Sequence, residues 1–216
     1  MKRTIVFVLL MVIPFLGTSQ TLKEINKSTI SGLDEVAPFS EGLAAVRKGN
    51  EWGFINKEGI LVIDFRSDLH WDKGADTSKS DITGIRYPVF MEGRCMIKKT
   101  EYDIPVYGFI DTEGKTVVEP QFLNVSQFEK GYATGVLFEK VFMGENEIKL
   151  KVYDFKFHDV LVDTSGKIEE YFARRENIQM NKRRYLLPTI GSKMLTDNLV
   201  AVRTKGGNWE IRALNL

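Results

Sequence analysis

The chain has 216 residues, of which 43% are apolar and 27% charged; this allows one good-sized core or two small ones and excludes disorder or a collagen-like fibre. Thirty basic against twenty-nine acidic side chains give a net charge of +1, so bulk electrostatics supply no pull toward nucleic acid or anionic membranes. One cysteine, Cys95, excludes an internal disulfide framework and a multi-cysteine zinc site, and two histidines, His70 and His158, are a poor endowment for zinc or Ser-His-Asp chemistry.

The N-terminus reads as an address. Lys2 and Arg3 precede the uncharged apolar run Thr4 to Leu16, then small residues Gly17, Thr18 and Ser19, then polar sequence from Gln20. That is the layout of a secretory signal peptide over residues 1–19, with cleavage expected after Ser19 and an N-terminal linker at 20–32. The alternative is a membrane anchor, but thirteen residues of helix rise only about 20 Å against a bilayer core of about 30 Å. No later run has membrane length, so the mature chain is expected to be secreted or periplasmic, with no transmembrane segment. Losing Lys2 and Arg3 takes its net charge to about −1.

From residue 33 onward one pattern returns. Phe39, Gly42 and Val46 recur as Phe90, Gly93 and Ile97; Gly53, Phe54, Ile55, Glu58 and Gly59 recur as Gly108, Phe109, Ile110, Glu113 and Gly114. A weaker third repeat starts at Phe128 and resumes, after a long excursion, at Val160 to Ile168. A truncated fourth runs from Leu195 to Ile211, with Asn198 in the Gly42 position and Glu210 in the Gly53 position. The approximate bounds are 33–66, 88–122, 123–172 and 195–212. Within the first, Leu43–Arg47, Trp52–Asn56 and Ile60–Phe65 are β-branched and aromatic runs separated by Lys48-Gly49-Asn50 and Lys57-Glu58-Gly59, which are hairpin separators. Such a three-stranded meander cannot bury a face alone and must stack on its neighbours. The fold expected is therefore all-β: an array of degenerate β-hairpin repeats with long insertions and little helix, Lys167–Asn181 being the best helical candidate.

These residues carry a resemblance. Phe39-Ser40-Glu41-Gly42-Leu43-Ala44, Trp52-Gly53-Phe54-Ile55-Asn56 and Gly59 resemble the bacterial WG repeat, also called the KWG repeat; the second copy has Tyr107 in the Trp position and ends in Val117-Val118-Glu119-Pro120. The resemblance implies an extracellular or envelope β-repeat protein and brings no shared catalytic residues. The repeats here are longer than is usual for that family, which argues against an evenly stacked array.

Trp52, Tyr107 and Trp209 occupy one repeat position, either as an aromatic ladder for sugars or, the reading favoured by recurrence, as core. Truncating Trp52 is then expected to cost much stability and truncating Trp71, in an insertion, little. The repeated glycines read as turn and packing residues, since none opens a helix after a strand in a nucleotide-binding spacing. Cys95 takes the Ala44 position of a strand and reads as a small buried thiol. The insertion Ser67–Pro88 offers His70, Trp71, Asp72, Arg86 and Tyr87 as a possible ligand-binding loop, on the rule that insertions in repeats map to one binding face. Its acidic spacing matches no calcium loop. Arg174, Arg175, Lys182, Arg183 and Arg184 form a locally basic stretch, read as a solvated face or a docking strip. No metal site, cofactor or catalytic set is expected. The function expected is a non-enzymatic module that binds a protein or glycan of the cell envelope, and not nucleic acid. The alternatives are a carboxylate-based hydrolase and a purely structural cell-surface spacer.

Overall fold

The computed structural model describes residues 28–176 and 178–215. The expected signal peptide lies outside them, as does most of the linker. The described residues form thirteen strands: β1 (Glu35–Ser40), β2 (Leu43–Lys48), β3 (Glu51–Ile55), β4 (Leu61–Arg66), β5 (Cys95–Glu101), β6 (Ile104–Ile110), β7 (Thr116–Val125), β8 (Tyr132–Glu145), β9 (Lys151–Asp163), β10 (Ile168–Arg175), β11 (Ser192–Thr196), β12 (Leu199–Arg203) and β13 (Trp209–Ala213). They make three antiparallel sheets, ordered β1-β2-β3-β4, β10-β9-β8-β7-β6-β5 and β11-β12-β13. The helical element among the described residues is one 3-10 turn, Ile82–Gly84. Of the candidate helix Lys167–Asn181, Ile168–Arg175 instead form β10, captured by pairing with β9 (Tyr171 opposite Val160, Arg175 opposite Phe157). Tertiary pairing overrides a weak local helix preference there.

Strand register fixes the repeat alignment. Val46 pairs with Gly53 as Ile97 pairs with Gly108, and Arg47 lies opposite Trp52 as Lys98 lies opposite Tyr107 and Arg203 opposite Trp209. The first repeat has four strands rather than three, because the chain ahead of Glu41 also pairs (Val36 opposite Val46). Repeats two and three merge into a single sheet. The first half of β7 closes repeat two, with Val118 opposite Phe109, and its second half opens repeat three, with Val125 opposite Gly135. Gly108 lets β7 cross closely, since a Cβ there would sit 2.3 Å from the Val118 carbonyl oxygen.

The core sits between consecutive repeats. One cluster joins Trp52, Phe54 and Ile63 of repeat one to Phe90, Cys95 and Ile97 of repeat two. The next joins Tyr107, Phe109 and Val118 to Phe128, Leu137 and Val160 of repeat three, and a third joins Leu161 and Phe172 to Val200 and Val202 of repeat four. The first aromatic of each following repeat packs on the Gly-Phe-Ile phenylalanine of the one before: Phe90 on Phe54 and Phe128 on Phe109, both at 4.7 Å between ring centres.

The two-residue hairpin turns are stacked as well. Glu41-Gly42, Glu92-Gly93 and Lys130-Gly131 each place both residues at positive φ, the backbone of a tight hairpin turn that favours glycine at its second position. The Glu41 carboxylate accepts from the Glu92 and Gly93 amides (2.6 and 2.8 Å), and the Glu92 carboxylate accepts from the Gly131 amide (2.7 Å). A second turn type also recurs: the side chains of Asn56, Asp111 and Asp163 each accept from amides two and four residues on.

Candidate functional site

A cleft of about 550 Å³ lies between the long insertion, the start of repeat three and the fourth repeat. Its first wall is Ser78–Asp81. The Asp76 side chain accepts from the Ser78 amide, and Asp81 caps the 3-10 turn by accepting from the Thr83 amide at 3.0 Å and the Thr83 hydroxyl at 2.5 Å. The wall is fastened to repeat three by the Gln127 amide donating to the Ser80 carbonyl (2.9 Å) and by Asn124 Nδ2 donating to the second Asp81 oxygen (3.0 Å).

Ser126, Gln127, Glu129, Tyr132 and Thr134 form the middle of the cleft. Thr134 Oγ1 donates to the Ser192 carbonyl (3.1 Å), tying the middle to β11. The far wall is Ser192, Lys193, Met194 and Trp209. Trp209 is 51% exposed, and the Lys193 ammonium stands 5.4 Å from its ring centre. Ser192 is 4% exposed, and its hydroxyl has no hydrogen-bond partner among the described residues; buried Asn124 Oδ1 lacks one too.

The expectation for the repeated aromatic divides here. Trp52 and Tyr107 are core, at 0% and 5% exposure, whereas Trp209, in the same register, is not. No described strand follows β13 to cover Trp209 as β4 and Trp71 cover Trp52. Register alone marked the position; exposure depended on what packs over it.

The five residues nominated from the insertion do not converge. His70 is buried, with its Nε2 donating to the Ile82 carbonyl (2.8 Å) and its amide to the Met96 carbonyl, so it anchors the loop. Its imidazole is pushed below the ordinary value of 6.5, chiefly by burial, with the Ile82 bond and Asp72 opposing and Lys98 adding. Trp71 packs edge-on against Trp52, at 5.6 Å and 71°. Arg86 pairs with Glu35 (3.1 Å), fastening the loop to β1, and Tyr87 packs on the same core as Trp71. Trp71 and exposed Asp72 border a separate open hollow of about 410 Å³ with Lys73 and Lys98. The insertion does reach the main cleft, through Ser78–Asp81, whose serines and lysine carried no distinctive signal.

Cys95 is buried in the Ala44 position, opposite Ile110 as Ala44 is opposite Ile55, and burial pushes its thiol well up. In the basic stretch, Arg175 turns inward to clasp buried Asp159 through two bonds (2.6 and 2.9 Å), and it donates to the Thr189 carbonyl (2.6 Å). That clasp holds the loop ahead of β11 and so sets the far wall of the cleft.

Residues 32–52 and 107–134 match the family model of the WG containing repeat. The matched stretches run from just ahead of β1 to Trp52 and from Tyr107 to Thr134, and in them the chain is similar to the WG repeat. No curated protein and no solved structure matches the chain.

Proposed function

We propose that the protein is a non-enzymatic binding module, secreted or periplasmic, whose ligand is a glycan seated in the Trp209 cleft. One observation carries this reading: the exposed face of Trp209 stands over a cleft lined by serine, threonine, glutamine, lysine and carboxylate groups. Sugar rings present C–H faces that stack on an aromatic plane, and hydroxyls that need such donors and acceptors. The address rests on the sequence of residues 1–19.

Binding is favoured over hydrolysis because Asp81, one of the two carboxylates lining the cleft, is tied into the wall by three hydrogen bonds, which leaves Glu129 without a free partner carboxyl. Asp81 accepts from Thr83 and Asn124, and Glu129 pairs with Lys130. A glycosidase needs one carboxyl free to give a proton and a second to attack or to activate water.

The test is isothermal titration calorimetry with a panel of soluble cell-wall oligosaccharides, with release of reducing ends followed in parallel. Saturable binding without release is expected for the native chain, and Trp209→Ala should lose at least tenfold in affinity with its fold intact. Equal affinity in that variant removes the cleft as the site; steady release of reducing ends moves the protein to the hydrolases.

A further inference from the structure

We infer that the chain self-associates head to tail, the first repeat of one molecule docking on the fourth repeat of another through the contact that joins repeat one to two and repeat two to three. That contact has two recurring parts. The leading aromatic of a repeat is covered by its predecessor, and the amides of its Xaa-Gly turn receive the predecessor's turn carboxylate.

Repeats two and three satisfy both parts. Phe90 and Phe128 are each 1% exposed, and the Glu92, Gly93 and Gly131 amides all hold a carboxylate. The first repeat has the same parts unsatisfied. Phe39 is 51% exposed, and its turn has the same backbone as the second (Glu41 φ 51° against Glu92 φ 51°). The Glu41 and Gly42 amides have no partner among the described residues. Val36, 60% exposed, extends this apolar head.

The complementary half is exposed on the fourth repeat. Register puts Ile211 where Phe54 receives Phe90, because Ala201 lies opposite Ile211 as Ala45 lies opposite Phe54. Ile211 is 67% exposed. Asp197, exposed, aligns with Glu41 and brings a carboxylate to the same end of the repeat, although its turn lacks the positive-φ backbone of Glu41-Gly42. A head and a tail that complement each other but lie on different surfaces make a heterologous contact, which propagates rather than closing into a pair.

Sedimentation velocity of the full chain over a range of concentrations tests the idea. The native protein should show species that lengthen with concentration. Phe39→Glu and Ile211→Glu, both at exposed positions, should each sediment as monomers with unchanged circular dichroism. Mixed together they should form a discrete dimer, since one retains a working tail and the other a working head. F39S and I211T repeat the test if a buried-edge charge perturbs folding. A native chain that stays monomeric, an Ile211→Glu variant that still self-associates, or a mixture that fails to pair would each overturn the inference. Ile211 shares a strand face with Trp209, so the glycan proposal is read on the Phe39→Glu monomer, whose substitution lies outside the cleft and leaves Trp209 uncovered.

Discussion

Trp52 and Trp209 face the same cross-strand arginine position, Arg47 and Arg203, yet one is sealed and the other open. Their truncations should therefore separate. Trp52→Ala is expected to lower unfolding stability in urea by about 3–5 kcal/mol, because transfer and cavity costs add, while Trp209→Ala should change it by about 1 kcal/mol or less. Trp71 was expected to behave as a surface residue, but it is half-buried against Trp52, with the Arg47 guanidinium 5.6 Å from its ring centre. Trp71→Ala should consequently fall between the two. Sequence recurrence located the aromatic position but held no information on which neighbour would arrive to cover it. His70 adds a pH effect. Its native pKa is lowered from 6.5 by burial, so the unfolded chain binds more protons below that value. Stability from this group is complete above about pH 6.5 and is lost as pH falls toward the native pKa. His70→Gln should flatten that part of a melting-temperature profile measured across mildly acidic pH; an unchanged slope would assign it to other groups.

Among the elements, the hairpin turns were the most legible, since Gly at positive φ and Asn or Asp five residues ahead of the next strand have local causes. What those turns do to one another was not legible, because the Glu41 and Glu92 contacts span 51, 52 and 39 residues. Glu41→Ala, which strips two charge-assisted bonds from the next turn, should cost about 1–2 kcal/mol despite its exposure, measured by chemical unfolding. Glu41→Gln, keeping one acceptor, should cost less. The long β8–β9 hairpin fills what the sequence shows only as a long excursion within repeat three. Its tip, Asn146-Glu147-Ile148-Lys149-Leu150, uses the same side-chain-capped turn as Asn56 and Asp163, with Lys149 at φ 59° where the other copies have glycine. Without that glycine the turn carries no conspicuous mark.

At the scale of the molecule, the cohesion of the fold runs from one repeat to the next: each main cluster is shared between neighbours, and repeats two and three are fused through β7. The all-β architecture could be read from alternating short strands and recurring turns. The location of the cleft could not, because it is assembled from residues more than a hundred positions apart, Asp81 and Trp209 among them. The β8–β9 hairpin stands apart from this scheme. Its base, from Tyr132 opposite Asp163 to Phe138 opposite Phe157, is flanked by β7 and β10, whose pairings stop at Leu137 and Phe157. Beyond that point no strand among the described residues flanks the ribbon on either side, and exposed Phe142, Met143, Ile148 and Leu150 lie along it. Covalent continuity at the tip therefore contributes little to what holds the two strands in place. The polypeptide could be opened there, or lengthened by inserted sequence, and the six-stranded sheet would still bring both halves into register.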